Sequence, residues 1–488
     1  MLFNSTPFIL GFLPLCLAGF FLVGRWGNVR WALLWLVGSS LIFYGWWNPP
    51  FVLLLAGSIG GNYVIGQRIL HHAMAGRRTA ARGWLIAGLV LDLGLLGWFK
   101  YAAFLWHVLA PDQPALHVFL PLAISFFTFQ QVMFLVDSYR RDRDDIPPLP
   151  YAAFVAFFPH LIAGPIVRPR DIIPQFRNPA IVRPNRQNLA AGLTLFLLGL
   201  AKKLVLADTF GSFADTGFNA AAAGESLTFF EAWYATLSYA LQIYFDFSGY
   251  SDMAIGLARM LNVEFPLNFN SPYQARDIAA FWQRWHITLS RFLRDYLYIP
   301  LGGNRRGEAR RALNLMITML LGGLWHGAGW QFVLWGGLHG LFLVTHAQYR
   351  RHFPPMPGPL AQALTLLAVI LAWVPFRSAG LPAAWSMLRG MAGANGIALP
   401  QMIVHAIPPL ALFATPVPVL PFLGDARTLS FPEVSACLLL GWFIVLRLPH
   451  LHALSPRSRD WALTAGFALA VQALFFAPNV APFLYFQF

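Results

Sequence analysis

Charge is what this sequence has least of. Asp, Glu, Lys and Arg make up 11% of its 488 residues, where a soluble domain carries about 25%. Hydrophobic residues make up 57%, and the mean hydropathy is +0.57. So much apolar surface has no use in water, which excludes a soluble globular or disordered chain and leaves an all-α polytopic membrane protein. Cysteine is also scarce. Cys16 and Cys437 are the two present, far apart in apolar segments, so neither a disulfide framework nor a zinc site is indicated. Acids are outnumbered 20 to 34 by Lys and Arg, for a net charge of +14. In a soluble chain that excess would raise nucleic acid as a partner. Here the basic residues cluster between apolar segments, so the expected partner is membrane lipid beside cytoplasmic loops, with no nucleic acid. The familiar catalytic signatures are missing too: no GxSxG elbow, P-loop, HExxH or CxxC pair. No metal site is expected.

What is present is a succession of apolar segments. They fall at 8–23, 31–47, 51–65, 84–108, 118–136, 151–163, 189–206, 229–245, 253–261, 313–324, 330–345, 360–374, 402–412, 434–446 and 461–476. A span needs about 20 residues. Several segments are shorter, so roughly 11 to 13 transmembrane helices are expected, the rest being tilted or re-entrant. No fixed-period repeat is visible, and one continuous domain over residues 1–488 is expected. The first segment follows "MLFNST" without a basic n-region and reads as a membrane helix rather than a cleaved signal. Arg25 and Arg30 lie in one loop, and Arg68, Arg77, Arg78 and Arg82 in another. That alternation puts the N-terminus outside and the basic loops in the cytoplasm. "PHLIAGPIVRPRDIIPQF" (159–176) carries Pro159, Pro165, Pro169 and Pro174, too many for a helix. It reads as a re-entrant segment or interfacial loop, tolerated at membrane depth only if covered by protein or lining a cavity.

Residues 241–340 concentrate the polar groups that lipid excludes. "YFDFSGYSDMAIG" (244–256) sets Asp246 and Asp252 between apolar runs. An intramembrane carboxylate is a functional candidate by default. The alternative is a structural role, with Gly249 breaking the helix and Ser251 or Asp252 capping the next. Within "ARDIAAFWQRWHITLSRFLRDYLYIPLGGNRRG" (275–307), Trp282, Trp285, Leu289, Leu293 and Tyr296 fall in one arc of about 80°. That predicts an amphipathic interfacial helix with His286 on its apolar face. Arg305, Arg306, Arg310 and Arg311 follow as a basic cluster. They serve either as a positive-inside anchor or as a surface for a phosphorylated donor such as coenzyme A. "LLGGLWHGAGWQFVLWGGLHG" (320–340) then places His326 at a span end among glycines, which allow close packing or a break and give a substrate room to approach. An imidazole there suits proton transfer from a hydroxyl. His339 lies about 220° further round an ideal helix and is the weaker candidate.

Taken together, "FFPHLIAGPIVR" (157–168), "YFDFSGYSDMAIGLARML" (244–261), "NFNSPYQARDIAAFWQRWHITLSRFLRDYLYIPLGGNRRG" (268–307) and "LNLMITMLLGGLWHGAGWQFVLWGGLHG" (313–340) resemble the membrane-bound O-acyltransferase family. The likeness is strongest to the bacterial branch that serves exopolysaccharide O-acetylation, alginate-type, and extends to the ending "FLYFQF" (483–488). The resemblance implies helices around a central funnel or tunnel, with residues 150–340 as catalytic core. It implies His326 as principal catalytic histidine and His286 as the second. Trp325, Asp246, Asn268, Arg305 and Arg306 are carried as substrate-binding candidates, Asn268 and Asn270 lying where other members pair an asparagine with histidine. It further implies acyl transfer to a hydroxyl from a cytoplasmic donor, acetyl-CoA, with no bound cofactor. The group would be passed across a bacterial inner membrane to a periplasmic or membrane-anchored acetyltransferase of a polysaccharide synthesis complex, acting on a polymer such as alginate or cellulose. Two other readings are a transporter or channel without chemistry, which broken helices would also suit, and a scaffold that recruits the acetyltransferase.

Overall fold

A computed structural model of the chain describes residues 1–141, 145–422 and 431–453, with Gly466, Phe483 and Leu484. The expected segment 461–476 therefore lies outside the described residues, Gly466 apart. Helices dominate, and the sheet among the described residues is a parallel pair of three-residue strands, Ala398–Pro400 and Thr415–Val417. Among those residues, four helical stretches are long and apolar enough to cross a membrane: Pro7–Trp26, Arg78–Leu109, Arg186–Ala222 and Gly358–Arg377. Val29–Gly45 is apolar but shorter. Large apolar side chains such as Leu15, Leu53, Val90 and Leu109 stand exposed, which lipid accepts and water opposes. The chain is an all-α polytopic membrane protein.

Local signals explain where the helices begin. Proline occupies the first turn of Pro7–Phe12, Pro50–Met74, Pro148–Ala156, Pro169–Arg177 and Gly358–Arg377, where its missing N–H is no loss. Asn28 caps Val29–Gly45 by accepting from the Arg30 and Trp31 amides at 2.9 and 3.4 Å.

The described residues form two compact units. One takes Met1–Leu200 and Gly249–Asn268, with Phe483 and Leu484, and the other takes Ala201–Ser248 and the described part of Phe269–Ala462. In the first unit, Tyr250 stacks on Phe3 at 4.7 Å and on Phe483 at 4.5 Å between ring centroids. The proline-rich stretch is buried over 159–167, while Arg170, Asp171 and Pro174 in its helix Pro169–Arg177 are exposed, and just ahead of it the Phe158 amide donates to Ser40 Oγ at 3.2 Å. The irregular backbone between these helices is thus covered by protein, the condition that a re-entrant segment has to meet. Asn62 Nδ2, from Pro50–Met74, donates to Asp92 Oδ1 at 2.7 Å and Gln131 Oε1 at 3.0 Å. Those partners come from Arg78–Leu96 and Ile124–Arg140, so one amide bonds three helices where polar side chains act as glue.

Three expectations change. The segments 229–245 and 253–261 are one helix, Phe229–Met260, and Gly249 does not break it. Instead a Cβ on Gly199 would stand 2.5 Å from the Gly249 carbonyl oxygen, and Cβ atoms on Gly192 and Gly256 would each stand 2.5 Å from the other's. In lipid, small residues favour close helix approach over a break. The expected amphipathic helix is in pieces: Ile278–Trp282, Ile287–Leu293 and a π-helical turn Arg294–Tyr298. The segment 402–412 forms only the helix Gln401–Ala406 and the 3₁₀ turn Pro408–Leu412, because Pro408 and Pro409 cannot continue a helix.

The glycine contact is open to test. Gly199→Leu forces a side chain into backbone, and overpacking of this kind costs about 1–3 kcal/mol. Thermal unfolding of the purified protein in detergent is expected to show a lowered midpoint for Gly199→Leu and little change for Gly57→Leu, where nothing lies within 4 Å. Equal midpoints would mean the helices do not meet there.

Candidate active site

The second unit brings His286 and His326 onto one aromatic cluster. His326 is the last residue of the helix Gly307–His326, and the turn 327–329 leads straight into Trp330–His352. A three-residue connection makes the two helices an antiparallel hairpin. Its glycines hold the hairpin shut. A Cβ on Gly323 would stand 2.2 Å from the Phe332 carbonyl oxygen, and one on Gly336 would stand 2.3 Å from that of Met319. A Cβ on Gly327 would meet the Phe332 ring at 2.1 Å. These glycines therefore spend their missing side chains on helix–helix contact, and the room expected for a substrate is not made by them.

His326 is 5% exposed, in contact with three rings. Its centroid lies 5.0 Å from Trp325, 5.0 Å from Trp335 and 5.3 Å from Phe376. His286 is fully buried. It lies 4.7 Å from Phe247 and 6.3 Å from Trp325. Trp325 is thus the ring that both histidines touch. Burial pulls the His286 imidazole down to about 3, so it is neutral at physiological pH and available as a hydrogen-bonding group rather than a cation.

Local sequence explains the placement of His286. Asp277 caps Ile278–Trp282, its Oδ1 accepting from the Ala280 amide at 2.7 Å. The Asn270 amide donates to the Arg284 carbonyl at 2.9 Å. Between the two short helices His286 takes φ +42°, a left-handed conformation that costs a non-glycine residue on the order of 1–3 kcal/mol. Such strain persists only when the surroundings hold it, and it gathers at functional positions.

The other candidates are distributed as follows. Trp325 is in the cluster and 4% exposed. Asp246 is 1% exposed and lies 2.8 Å from Lys203 Nζ, which also lies 2.6 Å from Asp208. Lys203 sits in the π-helical turn Lys202–Ala207, so a buried acid meets a buried base there. Asn268 belongs to the first unit, where its Nδ2 donates to Ser251 Oγ at 3.2 Å. Arg305 and Arg306 stand exposed on the turn before Gly307–His326. That turn is tied down by Asn314 Nδ2 donating to the Gly303 carbonyl at 3.0 Å. Neither arginine joins the aromatic cluster.

Two groups escaped the sequence reading. Trp335 lines the cluster from the facing arm of the hairpin, and Trp373 and Phe376 from the helix after it; tryptophan in a membrane chain carries no positional signal. His339 was ranked down on an ideal-helix angle from His326. The chain reverses between them, so that angle does not apply, and His339 packs on Trp335 at 4.8 Å. Among the described residues no group of three or more His, Cys, Asp or Glu side chains comes together.

Comparison with known proteins bears on the chain as a whole. The family model for the membrane-bound O-acyltransferases matches residues 81–376. The peptidoglycan O-acetyltransferase of Helicobacter pylori is 41% identical over an alignment of 543 positions, covering 100% of this chain and 98% of that protein. The protein named probable alginate O-acetylase AlgI in Pseudomonas aeruginosa is 44% identical over 402 positions, covering 80% of this chain and 75% of its own. More distantly, the teichoic acid D-alanyltransferase of Streptococcus thermophilus is 29% identical over 47% of this chain and 57% of its own.

The buried ion pair gives a direct test. Lys203→Met removes the cation beside the buried Asp246 carboxylate and is expected to destabilise by about 3–5 kcal/mol. Adding Asp246→Leu is expected to restore most of that loss. Unfolding in detergent for the single and double variants measures both, and additive losses would show that the two groups do not interact.

Proposed function

This chain belongs to the membrane-bound O-acyltransferase family, and on that premise we propose that it transfers an acetyl group from cytoplasmic acetyl-CoA towards a polysaccharide on the far side of a bacterial inner membrane. O-acetylation is the activity named for the Helicobacter pylori and Pseudomonas aeruginosa relatives. The observation that carries the residue assignment is the meeting of His326 and His286 on Trp325, in a cluster that excludes water.

In the proposed step His326 takes the proton of the acceptor hydroxyl as its oxygen attacks the thioester carbonyl. A C–O bond forms and the carbonyl electrons move to oxygen. Collapse of that intermediate breaks the C–S bond, and His326 returns the proton to the departing thiolate. The products are an ester and a free thiol, with no net proton. His286, neutral in its buried position, orients the acyl group or shares the proton. The aromatic walls keep water from competing for the thioester. Trp325 packs against the acyl group, and exposed Arg305 and Arg306 offer phosphate contacts to the donor. Asp246, held by Lys203, fixes the helix that carries Phe247 against His286.

The acceptor side follows the relatives. An exopolysaccharide such as alginate or cellulose is the proposed polymer, reached through a separate acetyltransferase in the periplasm or anchored to the membrane, as part of a synthesis complex. A second reading, acetylation of peptidoglycan, is favoured by the end-to-end match to the Helicobacter pylori protein.

Two measurements decide this. A well-placed general base contributes roughly 10²–10⁴-fold. Transfer from acetyl-CoA by purified His326→Ala is expected to fall by that factor at unchanged protein level, and by less in His286→Asn, since asparagine tolerates the left-handed backbone. Full activity in His326→Ala would remove it from the mechanism, leaving a scaffold. Mass spectrometry of secreted polysaccharide and of muropeptides from a deletion strain is expected to show acetyl loss in the former. Loss confined to muropeptides would select the second reading.

A further inference from the structure

The second unit carries a cleft that the acyl-transfer step does not use. It has a volume of about 880 Å³ and lies between the helices Trp330–His352 and Gly358–Arg377. Leu341 and Phe342 line it from one helix, Leu364 and Ala368 from the other. Leu341 is 51% exposed and Leu364 46%, so this wall is open at the side rather than sealed in the protein. In a membrane protein an apolar wall open at the side faces acyl chains.

The mouth has the opposite character. Arg276 and Arg350 both line it and both are exposed. Arg276 lies across Gly358, where an added Cβ would stand 3.3 Å from its guanidinium carbon. The nearby Arg351 is engaged with Glu308 at 3.3 Å. Among the described residues, neither Arg276 nor Arg350 makes an ion pair. The carboxylate beside them, Asp277, is already occupied by capping the Ala280 amide at 2.7 Å and by His346 Nε2 at 3.5 Å.

We propose that this cleft is a specific site for an anionic phospholipid. The headgroup phosphate sits between Arg276 and Arg350, and one acyl chain runs along Leu364 and Ala368. From Ala361 to Ala368, two lining positions, the helix rises about 10 Å, enough for eight or so methylenes. Basic pockets between membrane helices suit anionic headgroups. A nucleotide-bearing donor fits less well, because the wall is chiefly apolar and two of its hydroxyls are already engaged, Tyr349 donating to the Pro354 carbonyl at 2.9 Å and Thr365 to the Ala361 carbonyl at 2.7 Å. The proposal stands independently of the acyl-transfer reading.

Native mass spectrometry of the full chain in detergent tests it, with phosphatidylglycerol and phosphatidylcholine of matched acyl chains as probes. Phosphatidylglycerol is expected to be retained in preference. Arg276→Gln and Arg350→Gln are each expected to weaken it roughly five-fold, from the usual worth of one basic side chain near an anionic headgroup, with phosphatidylcholine unchanged. Ala368→Trp, which fills the wall without touching the arginines, is expected to weaken both lipids. Arg77→Gln/Arg78→Gln, a basic pair in the first unit, is expected to change neither. Equal retention of the two lipids, or undiminished phosphatidylglycerol binding in the double arginine variant, overturns the proposal. So does full displacement by adenosine 3′,5′-bisphosphate, which would assign the arginines to a soluble phosphate.

Discussion

The Gly323 Cα rests against the Phe332 carbonyl, so near that a Cβ would stand 2.2 Å from the oxygen. The site depends on that contact. It clamps the end of Gly307–His326 to the start of Trp330–His352, which places His326 against Trp335. Trp335 in turn meets Trp373 and Phe376 from the next helix. A larger residue at 323 would lever the hairpin apart and move His326 away from its walls. Position of the catalytic candidate is thus set by backbone proximity and not by a hydrogen bond to the imidazole alone. That suits an apolar medium, where van der Waals fit between helices replaces the hydrophobic drive available in water.

The few charges and amides follow a second rule. Several of those that are buried are joined to one another: Lys203 to Asp246 and Asp208, Asn62 to Asp92 and Gln131. Leaving any of them unpaired in a low-dielectric interior costs several kcal/mol. The scarcity of charge in the sequence and the pairing of what remains have one cause.

The membrane class was legible in the sequence because composition carries it, and local motif singles out the two histidines that the fold brings to one aromatic cluster. The proline-rich stretch was legible in part: prolines forbade a long helix there, and burial followed from the medium. Gly249 is deceptive, since a glycine midway between two aspartates looks like a break until its neighbour across the interface, Gly199, is known. The amphipathic arc around His286 was misread for a related reason. Angular bookkeeping assumes unbroken backbone, and His286 itself turns left-handed. Trp335, Trp373 and His339 were out of reach because their meeting depends on the hairpin and on a helix thirty residues further on. What hydrophobic patterning cannot encode is which apolar face meets which.

The reciprocal glycines of the first unit have a mechanical meaning. Gly192 faces Gly256 and Gly199 faces Gly249, two contacts seven residues apart on each of two helices. A sliding step of one turn would drive Phe196 or Met253 into a carbonyl instead of an empty Cα. The pair is keyed like a notched rod in its guide. Translation along the axis is blocked at two points while the rods stay in contact. Any conformational cycle that works this unit must therefore carry the two helices as a single body and find its freedom elsewhere.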